Sequence, residues 1–253
     1  MDKEKKPRSI EVKERVKLKI GDKEYVFESN TPTSFFYTDL YDEIVAGIEL
    51  NQVFPLGILQ VVDSAGAVGA EITSASWTLD KTLTSITITG SAVWNSDNPP
   101  ATLKVLDTRR MPYFQTSLPA GISAQRGLPI TVTWDARFSM NISSATGYLA
   151  GSTIVGTDFI SLLVDILANA RNNRTLTLRK VKYHFTDGSA LIVDVARDPE
   201  ARRIYLPPTQ LTRSGTINIV TLYTNEDKCF SFILSSPLNV NAGDYISLDI
   251  YFA

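Results

Sequence analysis

The chain has 253 residues, 43% of them hydrophobic and 21% charged, with a formal net charge of −2. That length supports a full hydrophobic core, and that composition excludes a disordered chain. The near-balance of charge gives no electrostatic reason to expect a nucleic-acid partner, and a single cysteine, Cys229, excludes an intramolecular disulfide framework.

The N-terminal stretch mixes Asp2 and Glu4 with Lys3, Lys5, Lys6 and Arg8. Residues 1–20 therefore read as a charged, flexible arm. They carry no apolar centre and no small-residue cleavage site, so the expectation is synthesis in the cytoplasm without a secretory leader. No stretch of the chain approaches the apolar length of a membrane span.

From Val16 the pattern alternates through Leu18 and Ile20, turns at Gly21–Asp22, and resumes at Tyr25 and Phe27, which predicts a hairpin. "TDLYDEIVAGIEL" follows, with Tyr41, Ile44, Val45 and Ile48 at helical spacing and Asp39, Asp42 and Glu43 placed near the helix start. Hairpin and helix together form a segment at residues 21–57. A second helix is predicted in "TDFISLLVDILANARNN", capped by Thr157 or Asp158, with Phe159, Leu163, Ile166 and Ala170 on one face and Asn172 and Asn173 at its end.

The remainder reads as short strands rich in β-branched and aromatic residues, bounded by turns such as "DSAG", "NSDNPP", "TDGS" and "NAGD". Alternation of apolar and polar residues predicts antiparallel sheets with one buried face. The fold class is thus all-β, an antiparallel β-sandwich or jelly roll with two short helices. The divisions are a first β unit at 58–140, a linker with the second helix at 141–176, and a second β unit at 177–253.

The two units repeat a pattern. Gly127 precedes alternating Ile130, Val132, Trp134 and Ala136; Gly243 precedes Ile246, Leu248, Ile250 and Phe252. Upstream, Ile72, Trp77 and Leu79 match the spacing of Leu178, Tyr183 and Phe185, and Pro119 and Ile122 match Pro237 and Val240. These matches suggest an internal duplication. Two small packed sandwiches and one larger jelly roll both fit it.

Chemistry is sparse. The one histidine, His184, alternates with Tyr183 and Phe185 and reads as an exposed strand residue, with no second His or Cys to complete a zinc site. Cys229, inside "DKCFSFIL", reads as a buried thiol. There is no nucleophile elbow and no glycine-rich phosphate loop. Asp63, Glu71 and Asp80 lack a context that would pair them for glycoside hydrolysis. Oxygen ligands cluster at Asn95–Asn98 and Asn225–Lys228, where turn chemistry accounts for them better than calcium would. Asn141 and Asn173 begin chance-level glycosylation sequons. Catalytic, metal and cofactor residues are therefore assigned to none. Trp77, Trp94 and Trp134 lie in strands; Trp77 and Trp94 are the residues that would stack a sugar if the chain were a binding module.

Charged residues thin out across 51–106 and 138–170, as on surfaces covered by copies of the same chain. With its charged N-terminal stretch "MDKEKKPRSIEVKERVK", a short helix and two β units ending on a strand, the chain resembles β-sandwich and jelly-roll virion structural proteins, the capsid, turret or spike subunits of bacterial and archaeal viruses. The resemblance is one of organisation. It implies a non-enzymatic subunit of a virion that partners with copies of itself and with other virion proteins, and it supplies no catalytic residue. The alternative is a carbohydrate- or receptor-binding β-sandwich of a phage tail or cell surface.

Overall fold

The computed structural model describes residues 10–45, 53–80, 84–140, 153–155, 157–168, 176–198, 203–224 and 228–251. The first part holds the strands β1 (Ile10–Ile20) and β2 (Lys23–Ser29), the helix α1 (Ser34–Val45), and β3 (Leu56–Asp63), β4 (Val68–Ile72), β5 (Ser76–Asp80), β6 (Ser85–Val93), β7 (Pro100–Asp107), β8 (Pro112–Ser117) and β9 (Pro129–Met140). The second holds β10 (Thr153–Val155), α2 (Thr157–Leu167), β11 (Lys180–Phe185), β12 (Ala190–Asp194), β13 (Ala196–Asp198), β14 (Arg203–Gln210), β15 (Gly215–Tyr223), β16 (Lys228–Val240) and β17 (Tyr245–Tyr251). The fold is all-β: four antiparallel sheets, ordered β2-β1-β9-β6-β5, β4-β3-β7-β8, β10-β16-β15-β11-β12 and β13-β14-β17, with two helices. No described helix is long and apolar enough to cross a membrane.

The first two sheets pack face to face because each strand places alternate residues on one side. Val16, Leu18, Ile88, Val132, Trp134 and Phe138 from one sheet, and Leu59, Val61, Leu103, Val105 and Phe114 from the other, are buried in one cluster. Phe114 and Trp134 meet across the layers with ring centroids 4.9 Å apart. The other two sheets bury Val181, Tyr183, Val220, Leu222, Phe230 and Phe232 with Ile204, Leu206, Ile246 and Leu248 in the same cluster.

The second sandwich repeats seven strands of the first. The order β4-β3-β7-β8 recurs as β12-β11-β15-β16, and β5-β6-β9 recurs as β13-β14-β17. Irregularities recur as well. The β3–β7 ladder slips between Val62 and Asp63, and the β11–β15 ladder slips between His184 and Phe185. The β7–β8 ladder slips at Val105/Leu106, and the β15–β16 ladder at Leu222/Tyr223. Bulges at equivalent places are not a consequence of alternation, so they argue for a common unit rather than shared periodicity.

The turns agree. Asp63 N–H donates to Ala67 O at 2.8 Å around Gly66, φ 88°; Phe185 N–H donates to Ser189 O at 2.9 Å around Gly188, φ 84°. Gly127, φ 90°, donates to Trp94 O at 2.8 Å, and Gly243, φ 97°, donates to Leu211 O at 2.8 Å. Positive φ at these four positions is what makes glycine the fitting residue. The segment before each helix also matches: Pro32 bridges to Phe114 on β8, and β10 pairs with β16.

The closing strands correspond as their glycines suggest, but the upstream correspondence differs from the expected one. Tyr183 is equivalent to Val61 and not to Trp77, whose place is held by Arg197, because β11 corresponds to β3. The spacing misleads because every hairpin alternates with the same period, so a shift by one hairpin matches equally well.

Residues 10–20 are not a flexible arm. They form β1, inserted between β2 and β9 and paired from Ile10↔Met140 to Ile20↔Ile130. Glu11, Lys13, Arg15, Lys17 and Lys19 face outward, while Val12, Glu14, Val16, Leu18 and Ile20 are buried. The buried Glu14 breaks the apolar series, so the alternation reads as a charge run. Residues 1–9 lie outside the described residues.

Helix α1 begins earlier than its spacing indicates. Thr33 caps it, its Oγ1 accepting from Phe36 N–H at 3.4 Å, and the first turn carries no acid. Asp39, Asp42 and Glu43 fall in its middle and last turns, and Ile48 lies outside the described residues. Its C-terminal end joins the two sandwiches: Leu178 N–H donates to Ile44 O at 3.2 Å, and Thr177 Oγ1 donates to Glu43 O at 2.9 Å. In α2, Ile160, Leu162, Leu163, Val164, Ile166 and Leu167 are all buried, and the helix packs on β16 and β9. Asn172 and Asn173, expected to end it, and Ala170 lie outside the described residues.

Candidate functional site

The tryptophans proposed as a sugar platform do not form one. Trp94 is fully buried, its ring pressed against Gly69, where an added Cβ would lie 2.2 Å from ring carbons. Trp77 sits on the inner face of β5 and packs against the core. Stacking on a sugar needs an open ring face, which Trp94 does not offer, while Trp77 is half-buried. Trp134 is also buried and donates from Nε1 to Glu14 Oε2 at 3.0 Å.

His184 is half-buried on β11, on the face opposite Tyr183 and Phe185 as its alternation indicates, with Nε2 3.1 Å from Thr221 Oγ1. Thr221 Oγ1 in turn lies 3.2 Å from Ser231 Oγ. Cys229 is a buried free thiol.

The carboxyls do not converge. Asp63 is buried in the β3–β4 turn, where its Oδ1 accepts from Ala65 N–H at 2.9 Å and Ala67 N–H at 2.8 Å. Its Oδ2 accepts from Ser96 Oγ at 2.5 Å and Asn98 Nδ2 at 3.3 Å. These bonds, the one from Ser96 foremost, hold its carboxyl below the ordinary range against the effect of burial. The Asn95–Asn98 loop is therefore a turn locked onto Asp63. The Asn225–Lys228 loop, Asn141 and Asn173 lie in or against undescribed stretches. Glu71 accepts from Gln60 Nε2 at 2.6 Å and pairs with Arg110, which together lower its carboxyl. Asp80 is exposed at the end of β5.

A denser polar cluster has no local signature in the sequence. Asp107, fully buried, accepts at Oδ1 from Arg109 N–H at 2.9 Å and Met111 N–H at 2.8 Å, and at Oδ2 from Arg109 Nε at 2.7 Å. Arg109 also reaches Asp39 on α1 and lies 3.7 Å from the Phe54 ring centroid. Tyr113 OH donates to Asp39 Oδ2 at 2.9 Å and accepts from Phe54 N–H at 3.2 Å. Burial pushes the Tyr113 hydroxyl far above its ordinary range. The cluster ties α1 to the β7–β8 turn, and its acceptors are filled from within. Among the described residues no group of His, Cys, Asp and Glu is placed to hold a metal ion.

The outer face of the β2-β1-β9-β6-β5 sheet is different in kind. Thr87 Oγ1 donates to Asp135 Oδ1 at 3.0 Å, Thr89 Oγ1 to Thr133 Oγ1 at 3.1 Å, and Ser91 Oγ lies 2.8 Å from Thr131 Oγ1. A shallow groove of about 360 Å³ crosses it, lined by Arg15, Lys17, Glu24, Val26, Thr87, Thr133 and Asp135. Lys17 and Glu24 form an exposed ion pair at 2.9 Å. Two cations and two acids balance there, and no aromatic ring lines it.

Sheet edges are the other exposed feature. Val26 on β2, Val68 on β4, Ile192 on β12 and Tyr245 on β17 are 49%, 50%, 58% and 68% exposed, and each of these strands ends a sheet. Compared with protein-family models, curated proteins and solved structures, the chain matches none.

Proposed function

We propose that the chain is a non-enzymatic structural subunit of a viral particle, part of a capsid or a surface projection, that assembles with copies of itself through β edges. The observation that carries this reading is that four exposed apolar side chains, Val26, Val68, Ile192 and Tyr245, lie on edge strands, with Phe35, Val93 and Ile233 exposed elsewhere. Edges with apolar side chains and unpaired backbone favour strand addition, whereas monomeric proteins usually protect them. The buried acids Glu14, Asp63 and Asp107 serve turns and layer contacts, which fits a scaffold. Many weak repeated contacts add up in a closed assembly.

The test is light scattering after size exclusion, with negative-stain microscopy of the same fractions, on the full chain and on a chain lacking residues 1–9. Defined large particles or rings support the reading. A monomer at every concentration overturns it. A carbohydrate- or receptor-binding role would rest on the outer groove instead of Trp77 and Trp94, and glycan binding lost on Asp135→Ala would favour it.

A further inference from the structure

The repeat shows what one edge lacks. In the first sandwich the far side of β9 is covered by β1, antiparallel, along all 11 of its residues. The equivalent strand in the second sandwich is β17, and among the described residues it pairs with β14 alone. Its sheet has three strands where the matching sheet has five. Among the described residues, the position that β1 fills in one half is thus open in the other.

We propose that this edge of β17 is an assembly edge, pairing antiparallel with the same edge of a second copy so that Leu248 lies opposite Leu248. The inference rests on the reading of the chain as a self-assembling subunit and names the surface it uses. β17 meets the requirements of the strand it lacks. It alternates, with Ile246 and Leu248 buried beneath and Tyr245 and Ser247 exposed above. Centring on Leu248 overlaps the whole strand and sets like faces together. Position 246 then lies opposite position 250, position 245 opposite position 251, and Ser247 opposite Asp249. Asp249, held by Arg203 at 3.2 Å, stays clear of its own copy. The result is one continuous sheet of six strands across a two-fold axis, an isologous contact.

Charge at Ser247 tests the edge and its register together. The full chain would be followed by sedimentation across a concentration series, as wild type, Ser247→Asp and Ser247→Lys. Ser247→Asp sets two aspartates opposite one another twice per dimer and should weaken pairing about tenfold; Ser247→Lys should match or tighten it. A Ser247→Cys chain should join into covalent dimers with a short bismaleimide, since diagonal neighbours in such a pair lie about 7–8 Å apart. Cys229 is buried and leaves the background low. Assemblies that ignore both charges and give no cross-link would overturn this edge while leaving self-assembly intact. A monomer throughout overturns both; if its β17 amides resist hydrogen exchange, a segment of the same chain covers the edge.

Discussion

Trp134 Nε1 donates to Glu14 Oε2 at 3.0 Å, joining β9 to the buried side of β1. The same carboxyl accepts from Thr31 N–H at 2.8 Å and from Thr116 Oγ1 at 3.2 Å, so one acid ties both layers of the first sandwich. Glu14→Gln replaces one acceptor by an amide donor that meets donors. It should cost about 1–3 kcal/mol in urea unfolding and shift the tryptophan emission, and Glu14→Ala should cost at least as much. Unchanged stability would mean that the network is dispensable.

Removal of residues 1–9 spares β1, while removal of residues 1–15 cuts away Val12 and Glu14, which are buried against β9. The shorter deletion gives the reference melting temperature. The longer one should lower it strongly or prevent folding, since each buried large apolar side chain lost costs about 2–5 kcal/mol. Equal melting temperatures would show that β1 is not part of the stable core.

Gly69 and Trp94 are a matched pair. Gly69→Ala drives a methyl into the Trp94 ring and should cost about 1–3 kcal/mol. Trp94→Ala should cost about 3–5 kcal/mol, and the two together less than their sum, because removing the ring makes room for the methyl. Urea unfolding of the two single variants and the double variant measures this, and strict additivity would refute the contact.

Asp187 closes the β11–β12 turn, accepting from Ser189 Oγ at 2.5 Å and Ser189 N–H at 3.0 Å and pairing with Arg213 at 2.7 Å. The Ser189 side-chain bond is the largest cause that brings its pKa down to about 2. A depressed carboxyl stabilises the fold above its unfolded value, near 3.9, and that contribution fades as pH falls toward 2. The urea midpoint of Asp187→Asn should therefore lie below wild type at pH 6 and converge with it near pH 2. A gap that stays constant with pH would assign the loss to something other than ionisation.

Gly127 and Gly243 occupy the same turn in the two units, at φ 90° and 97°. Alanine at either should cost about 1–2 kcal/mol, and similar costs at both are what the repeat requires. Gly57→Ala, where φ is ordinary and Thr108 offers only normal contact, serves as the control in the same thermal melts.

Local rules made the strand content, the Gly21–Asp22 hairpin turn, the α2 segment and the closing glycines legible in the sequence, because each depends on a few adjacent residues. What was hidden depends on distant ones. Glu14 looks like one charge among many until Trp134 and Thr116, far along the chain, fill its acceptors. Asp107 and Asp39 look unrelated until Arg109 bridges them. Trp94 looks like a ligand platform because burial is invisible to a period-two pattern that places it at a strand end. The equivalence of β3 with β11 was concealed by the sameness of all hairpins and is carried by bulges that no spacing rule records.

Pairing of the first strand with β9 has a bearing on how the chain comes to be folded. β1 is made well before β9, so it must wait for residues up to Met140 before it can be bracketed by its partners. Pairings between residues so far apart form slowly, since the loop between them must be closed before any contact rewards it. Among the described residues, the strand pairing of greatest sequence separation in the second sandwich, Thr153↔Ile233, spans a shorter stretch. The slow phase of refolding should accordingly belong to the half that is synthesised first, and on the ribosome β1 is left waiting, alternating and half apolar, for most of the synthesis of that half.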